Sequence, residues 1–261
     1  MANIADAVGG GAKLAAIPDV LARHPAFAPY RGLAPLRLEG GGAGGEGERN
    51  GPPRIVPPPP RALGALDFER RLVEHNELIV RPDNLHDTIN ALVWQRFPHI
   101  KRAISQAHVA LGAANTANGR PRRRDILTLF DEAGALIIGQ RDDLRTLHEA
   151  HQWRRLFVDH RADFIRHCRV VLFGHGTIEQ LASNPHRGLT VKALWLKLLP
   201  DTPLAEVDLW FADQIRRDEV LHATERRLAL PILGVPGWFE ENRDPACYDD
   251  VDVFRPPRPL R

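Results

Sequence analysis

Apolar positions recur at helical spacing through much of the chain. Phe68, Leu72 and Val73 share one face of a short helix over 67–75. Ile89, Leu92, Val93 and Phe97 do the same over 86–97, with Asp83 or Asn84 placed to cap the first free N–H groups. Pro98 interrupts the chain. Ile100, Ala103, Ile104, Ala107, His108 and Leu111 then resume the period over 99–111. Residues 142–166 read as helix broken near Gln152, and 204–221 as a further helix.

Strand patterns are fewer. Ile126–Phe130 and Ala135–Ile138 are β-rich runs on either side of Asp131-Glu132-Ala133-Gly134, a pattern that predicts a β-hairpin with a four-residue loop. Cys168–Phe173 reads as a buried strand that ends at Gly174, with a helix from there to about Ser183. Thr190–Leu198 alternates in part and reads as strand, and beyond Pro231 a proline-rich aromatic segment wraps the core. The expected fold is α+β: a mostly helical single domain around a small sheet that includes the hairpin.

Punctuation sets the boundaries. Residues 39–47 hold six glycines in nine, and 51–60 hold six prolines in ten. The first stretch predicts coil, and Pro57 to Pro60 predict extended polyproline II. This gives a partly packed N-terminal segment over 1–38, with Phe27, Tyr30 and Leu33 available for packing. A flexible linker or insertion over 39–61, a core domain over 62–255 and a tail over 256–261 follow.

Composition narrows the class. With 35 basic against 33 acidic residues the net charge is +2, which excludes a globally basic nucleic-acid binder but not a local patch. Two cysteines, Cys168 and Cys247, cannot build a disulfide framework or a cysteine-rich zinc module. No apolar run approaches the ~18 residues of a membrane helix, and the start lacks the basic region of a signal peptide. A cytoplasmic location without a membrane partner is the expectation.

Several stretches carry a resemblance. NLHDTINALVWQRFPHIKRAISQAH, RRRDILTLFDEAGALIIG, VLFGHGTIEQL and LPILGVPGWFEENRDPACYDDVDVFRPPR together span most of 66–255. They resemble a bacterial family catalogued as domain of unknown function 3025. This chain has Leu85, Ser105 and Phe239 where that family usually has Trp, Asn and Trp, and it keeps the His-Asp and Gly-His positions. The resemblance implies a bacterial protein and no particular activity.

Candidate chemistry therefore rests on residues. His86 and Asp87 open a helix, and an adjacent imidazole and carboxylate can bind one metal ion. The plainer account is that Asp87 complements the helix dipole and His86 bonds locally. Gly174-His175-Gly176 follows a strand, and His175 and Glu179 stand i and i+4 on the next helix, as ligands or as an acid/base pair. There the plainer account is a salt bridge and a packed imidazole. Asp125, Asp131 and Glu132 on the predicted hairpin suit a turn. If the hairpin folds towards His86 and His175, a mixed site for zinc, manganese or iron results, with Asp131 as the carboxylate.

His148-Glu149-Ala150-His151 is one residue too short for the HExxH zinc motif. Residues 88–124 contain no Asp or Glu but hold Arg96, Lys101, Arg102, Arg120, Arg122, Arg123 and Arg124. Lys101, Arg122, Arg123 and Arg124 could steer phosphate, whether of a small ligand or of nucleic acid; otherwise the stretch is a solvated face.

The sequence reading is thus a metal-assisted hydrolase of a phosphate-bearing substrate, with a divalent metal ion as cofactor. His86, Asp87, His175 and Glu179 are the catalytic candidates, and His86, Asp87, His175 and Asp131 the metal candidates. The alternative is a non-enzymatic nucleic-acid or protein-binding module using residues 96–124.

Overall fold

A computed structural model describes residues 14–38, 51–113, 122–221 and 228–256. The fold is α+β with helix predominating. The glycine-rich part of the linker (39–50), residues 114–121 of the predicted loop and the end of the tail (257–261) lie outside the described residues, as does the side chain of Arg122. Among the described residues no helix is long and apolar enough to cross a membrane. The chain divides into two compact units.

The first unit gathers residues 30–131 and 203–225 with the chain start. It holds most of α1 (Asp19–Arg23), then β1 (Arg54–Val56), α2 (Ala65–His75), β2 (Glu77–Ile79), α3 (Leu85–Arg96), α4 (Pro98–Ala113), most of α5 (Arg122–Ala133) and α9 (Leu204–Arg216). Helix α4 packs against α2, α3 and α9. Pro98 opens it, where a missing N–H costs nothing. Its next free N–H groups are satisfied across the unit: Asp208 of α9 accepts from His99 N (3.0 Å) and Ile100 N (2.8 Å). Burial raises Asp208 to about 6 even though these N–H bonds favour its charged form. Asn84 caps α3 by accepting from Asp87 N.

The proline-flanked Arg54-Ile55-Val56 is a correction to the linker expectation. It pairs in parallel with Glu77-Leu78-Ile79, and both Ile55 and Val56 are buried. Burial of those two side chains outweighs the extended-coil preference that the surrounding prolines impose.

The second unit gathers residues 23–29, 132–202 and 226–261. It contains β3 (Gly134–Gly139), α6 (Asp142–Glu149), a π-helical turn (Arg155–Asp159), α7 (Arg161–His167), β4 (Cys168–Leu172), α8 (His175–Ser183), β5 (Thr190–Leu196) and β6 (Leu228–Pro231). The sheet runs β4-β3-β5-β6, with β3 parallel to β5 and antiparallel to β4, and β5 antiparallel to β6. Every residue of the inner strand β3 is buried, as its unbroken apolar run requires. The aromatic tail closes the core. Buried Asn242 donates to the Leu233 and Val235 carbonyls, Tyr248 Oη donates to Gly234 O, and the Tyr248 ring lies 4.9 Å from that of Phe254.

The predicted hairpin is overturned. Residues 126–130 belong to helix α5, and β3 pairs with β4 and β5 instead. Buried Ile126, Leu127 and Phe130 stand at i, i+1 and i+4, whereas Leu129 is exposed. That spacing is helical and would split across both faces of a strand. Thr128 Oγ1 donates to the Arg124 carbonyl, one turn back.

Candidate metal centre

Helix α5 runs straight into β3, so Glu132 stands in the last turn of a helix, two residues before the strand begins. Strand β4 leads through Phe173 and Gly174 into α8, whose first residue is His175. The two connections touch through glycine. A Cβ on Gly174 would lie 2.5 Å from the backbone N of Ala133 and of Gly134, and one on Gly176 would strike the Glu132 carboxylate. Only residues without side chains let these segments approach this closely. The approach brings buried His175 to Glu132, with Nε2 3.4 Å from Oε1.

His86 stands in the first turn of α3 behind the Asn84 cap. His86 belongs to the first unit. Within the second unit His175 and Glu132 set an imidazole against a carboxylate, donors suited to zinc, manganese or iron.

Other expected ligands are engaged elsewhere. Asp87 Oδ2 accepts from the backbone N and Nε of Arg81, and Oδ1 from Nη2, each at 2.8 Å. Partial burial would raise its pKa, but these bonds outweigh it and hold the carboxyl below its ordinary range. Asp131 receives Lys101 Nζ at 2.6 Å. It is one residue from Glu132, and on a helix that step turns the side chain by about 100°. The carboxylate that faces His175 is therefore Glu132, where the sequence pointed to Asp131. Glu179 lies one turn beyond His175 on α8.

The basic stretch is used internally. Lys101 is buried in its pair with Asp131 and sits 5.6 Å from the centre of the Trp94 ring. Arg102, also buried, donates to Asn76 Oδ1 and to the Gly51 carbonyl. Arg123 donates to the Ile215 carbonyl (3.2 Å) and pairs with Asp218. Arg124 is close enough to half-buried Glu69 to favour its charged form.

The remaining motif residues have structural roles. His148 is buried, and its Nε2 is 2.9 Å from the Ala229 carbonyl while Nδ1 accepts from Trp195 Nε1 at 2.9 Å. Burial raises the Cys168 thiol to about 12, so it offers little thiolate near neutral pH.

The fold defines an α+β protein, and in its second unit a buried imidazole faces a carboxylate. The chain belongs to the family described as Protein of unknown function (DUF3025), whose model matches residues 58–258. No curated protein and no solved structure matches the chain.

Proposed function

We propose that the protein is a metal-dependent hydrolase in which Glu132 and His175 bind one divalent transition-metal ion. The observation that carries the reading is that buried His175 sets Nε2 3.4 Å from Glu132 Oε1, an arrangement a shared cation would bridge. Metal-bound water loses a proton near neutral pH and becomes a nucleophile, which makes hydrolysis the simplest chemistry for such a site. The proposal leaves out phosphate steering by Lys101 and Arg123, because both cations already hold carboxylates.

Metal analysis by mass spectrometry tests this, on purified protein reconstituted with zinc or manganese and then desalted. One equivalent of metal should be retained by the wild type and by Asp87→Asn, and lost from Glu132→Gln and His175→Ala with folding intact by circular dichroism. A folded wild type that retains no metal, or ligand variants that retain it fully, would overturn the reading. Metal-dependent cleavage of activated esters, absent from the same two variants, should accompany retention.

A further inference from the structure

Beside β5 and β6 the second unit contains a cavity of about 850 Å³, within the range of small-molecule sites. Its lining combines Trp153 and Leu189 with His151, His186, Lys192 and Arg255, and among the described residues includes no acid. Several cations elsewhere among the described residues hold a carboxylate. Lys197 pairs with Asp142 as Lys101 does with Asp131, whereas Lys192 holds no carboxylate among the described residues.

The wall is also built. His151 Nδ1 and Trp153 Nε1 both bond the carbonyl of Arg255, at 3.0 and 2.9 Å, and their ring centres lie 4.9 Å apart. His151 takes a left-handed backbone (φ 51°), a conformation in which glycine would be easier. Such a cost persists only where the surroundings hold it, and here it places an imidazole on the cavity wall.

We propose that this cavity binds a small organic anion, a carboxylate or phosphate carried on an apolar or aromatic body. Lys192, His186 and Arg255 supply the charge complement, and Trp153 and Leu189 take the body. The site uses none of the candidate metal ligands.

Calorimetric titration with 2-naphthoate, 2-naphthyl phosphate and the neutral 2-naphthamide tests it, on protein with and without prior chelator treatment. One equivalent of at least one anion should bind, about tenfold more tightly than the amide, and treatment with chelator should leave this unchanged. Which anion binds more tightly distinguishes carboxylate from phosphate recognition. Lys192→Met and Arg255→Gln should each weaken the anion at least fivefold and leave the amide unaffected. The proposal fails if no anion binds folded protein at millimolar concentration. It fails equally if the amide matches the anions, or if both variants bind like the wild type.

Discussion

Two basic regions of this protein use the same charges in opposite ways. Along α4 and α5, Lys101, Arg102 and Arg123 point into their own unit and end on Asp131, Asn76 and Asp218. Around the cavity beside β5, His186, Lys192 and Arg255 line open volume with no acid among the described lining residues. In sequence the first region is conspicuous, seven cations with no intervening acid, while the second is scattered from residue 186 to residue 255. A run of charge in sequence is therefore a poor guide to a charged site. What matters is whether folding supplies the counter-charge.

The largest expected effect tests the first half of that contrast. Lys101→Met should destabilise the protein by about 3 kcal/mol, because it strands the Asp131 carboxylate beside half-buried Glu69. Urea unfolding measures the loss. The double variant Lys101→Met/Asp131→Leu should recover much of it, since removing both partners leaves no unpaired charge. An unchanged unfolding midpoint for the single variant would show that the pair contributes nothing, and would return Lys101 to the pool of cations available to a ligand.

Much of this was legible beforehand. Helices α2, α3 and α4 follow from apolar spacing, and β3, β4 and β5 from short apolar runs. The hairpin failed because Ile126 to Phe130 is rich in β-formers, although its buried positions keep a helical period. That one error of period also misdirected the carboxylate choice, since on a strand loop Asp131 and Glu132 are interchangeable and on a helix they are not. His175 was identifiable as a polar residue at an element start. Its approach to Glu132 depends on a chain path no local pattern encodes, although the glycines flanking His175 hinted at it. The cavity had no sequence signal, because its cations come from separate segments.

A smaller effect concerns the support behind the second region. Ala229 lines the cavity, and its carbonyl is held by the neutral His148 ring. Burial lowers His148 to about 4, with the Ala229 bond acting against that shift. The unfolded chain therefore takes up a proton near pH 6.5 that the folded state refuses until about pH 4. Stability is fully present above pH 6.5 and falls as pH drops through this window, by on the order of 3 kcal/mol at most and less where the sheet relaxes. Asp208, raised to about 6, opposes this trend, because its folded state gains a proton first as pH falls. The measurement is the difference between wild type and His148→Gln in urea midpoints at pH 7 and pH 4.5. The wild type should lose more on acidification, and parallel losses would remove His148 from the account.

The smallest effect is the sharpest for the comparison. Lys192→Met keeps the aliphatic stem that packs along β5 and deletes a charge with no carboxylate partner among the described residues. It should shift stability by no more than about 0.5 kcal/mol, and by a small gain rather than a loss if neighbouring cations repel it. The same substitution should cost anion binding at least fivefold. Stability and binding thus separate at Lys192, while at Lys101 the charge matters to the fold and to no ligand. A loss at Lys192 as large as that at Lys101 would mean its charge serves the fold after all, and the two regions would no longer differ in kind.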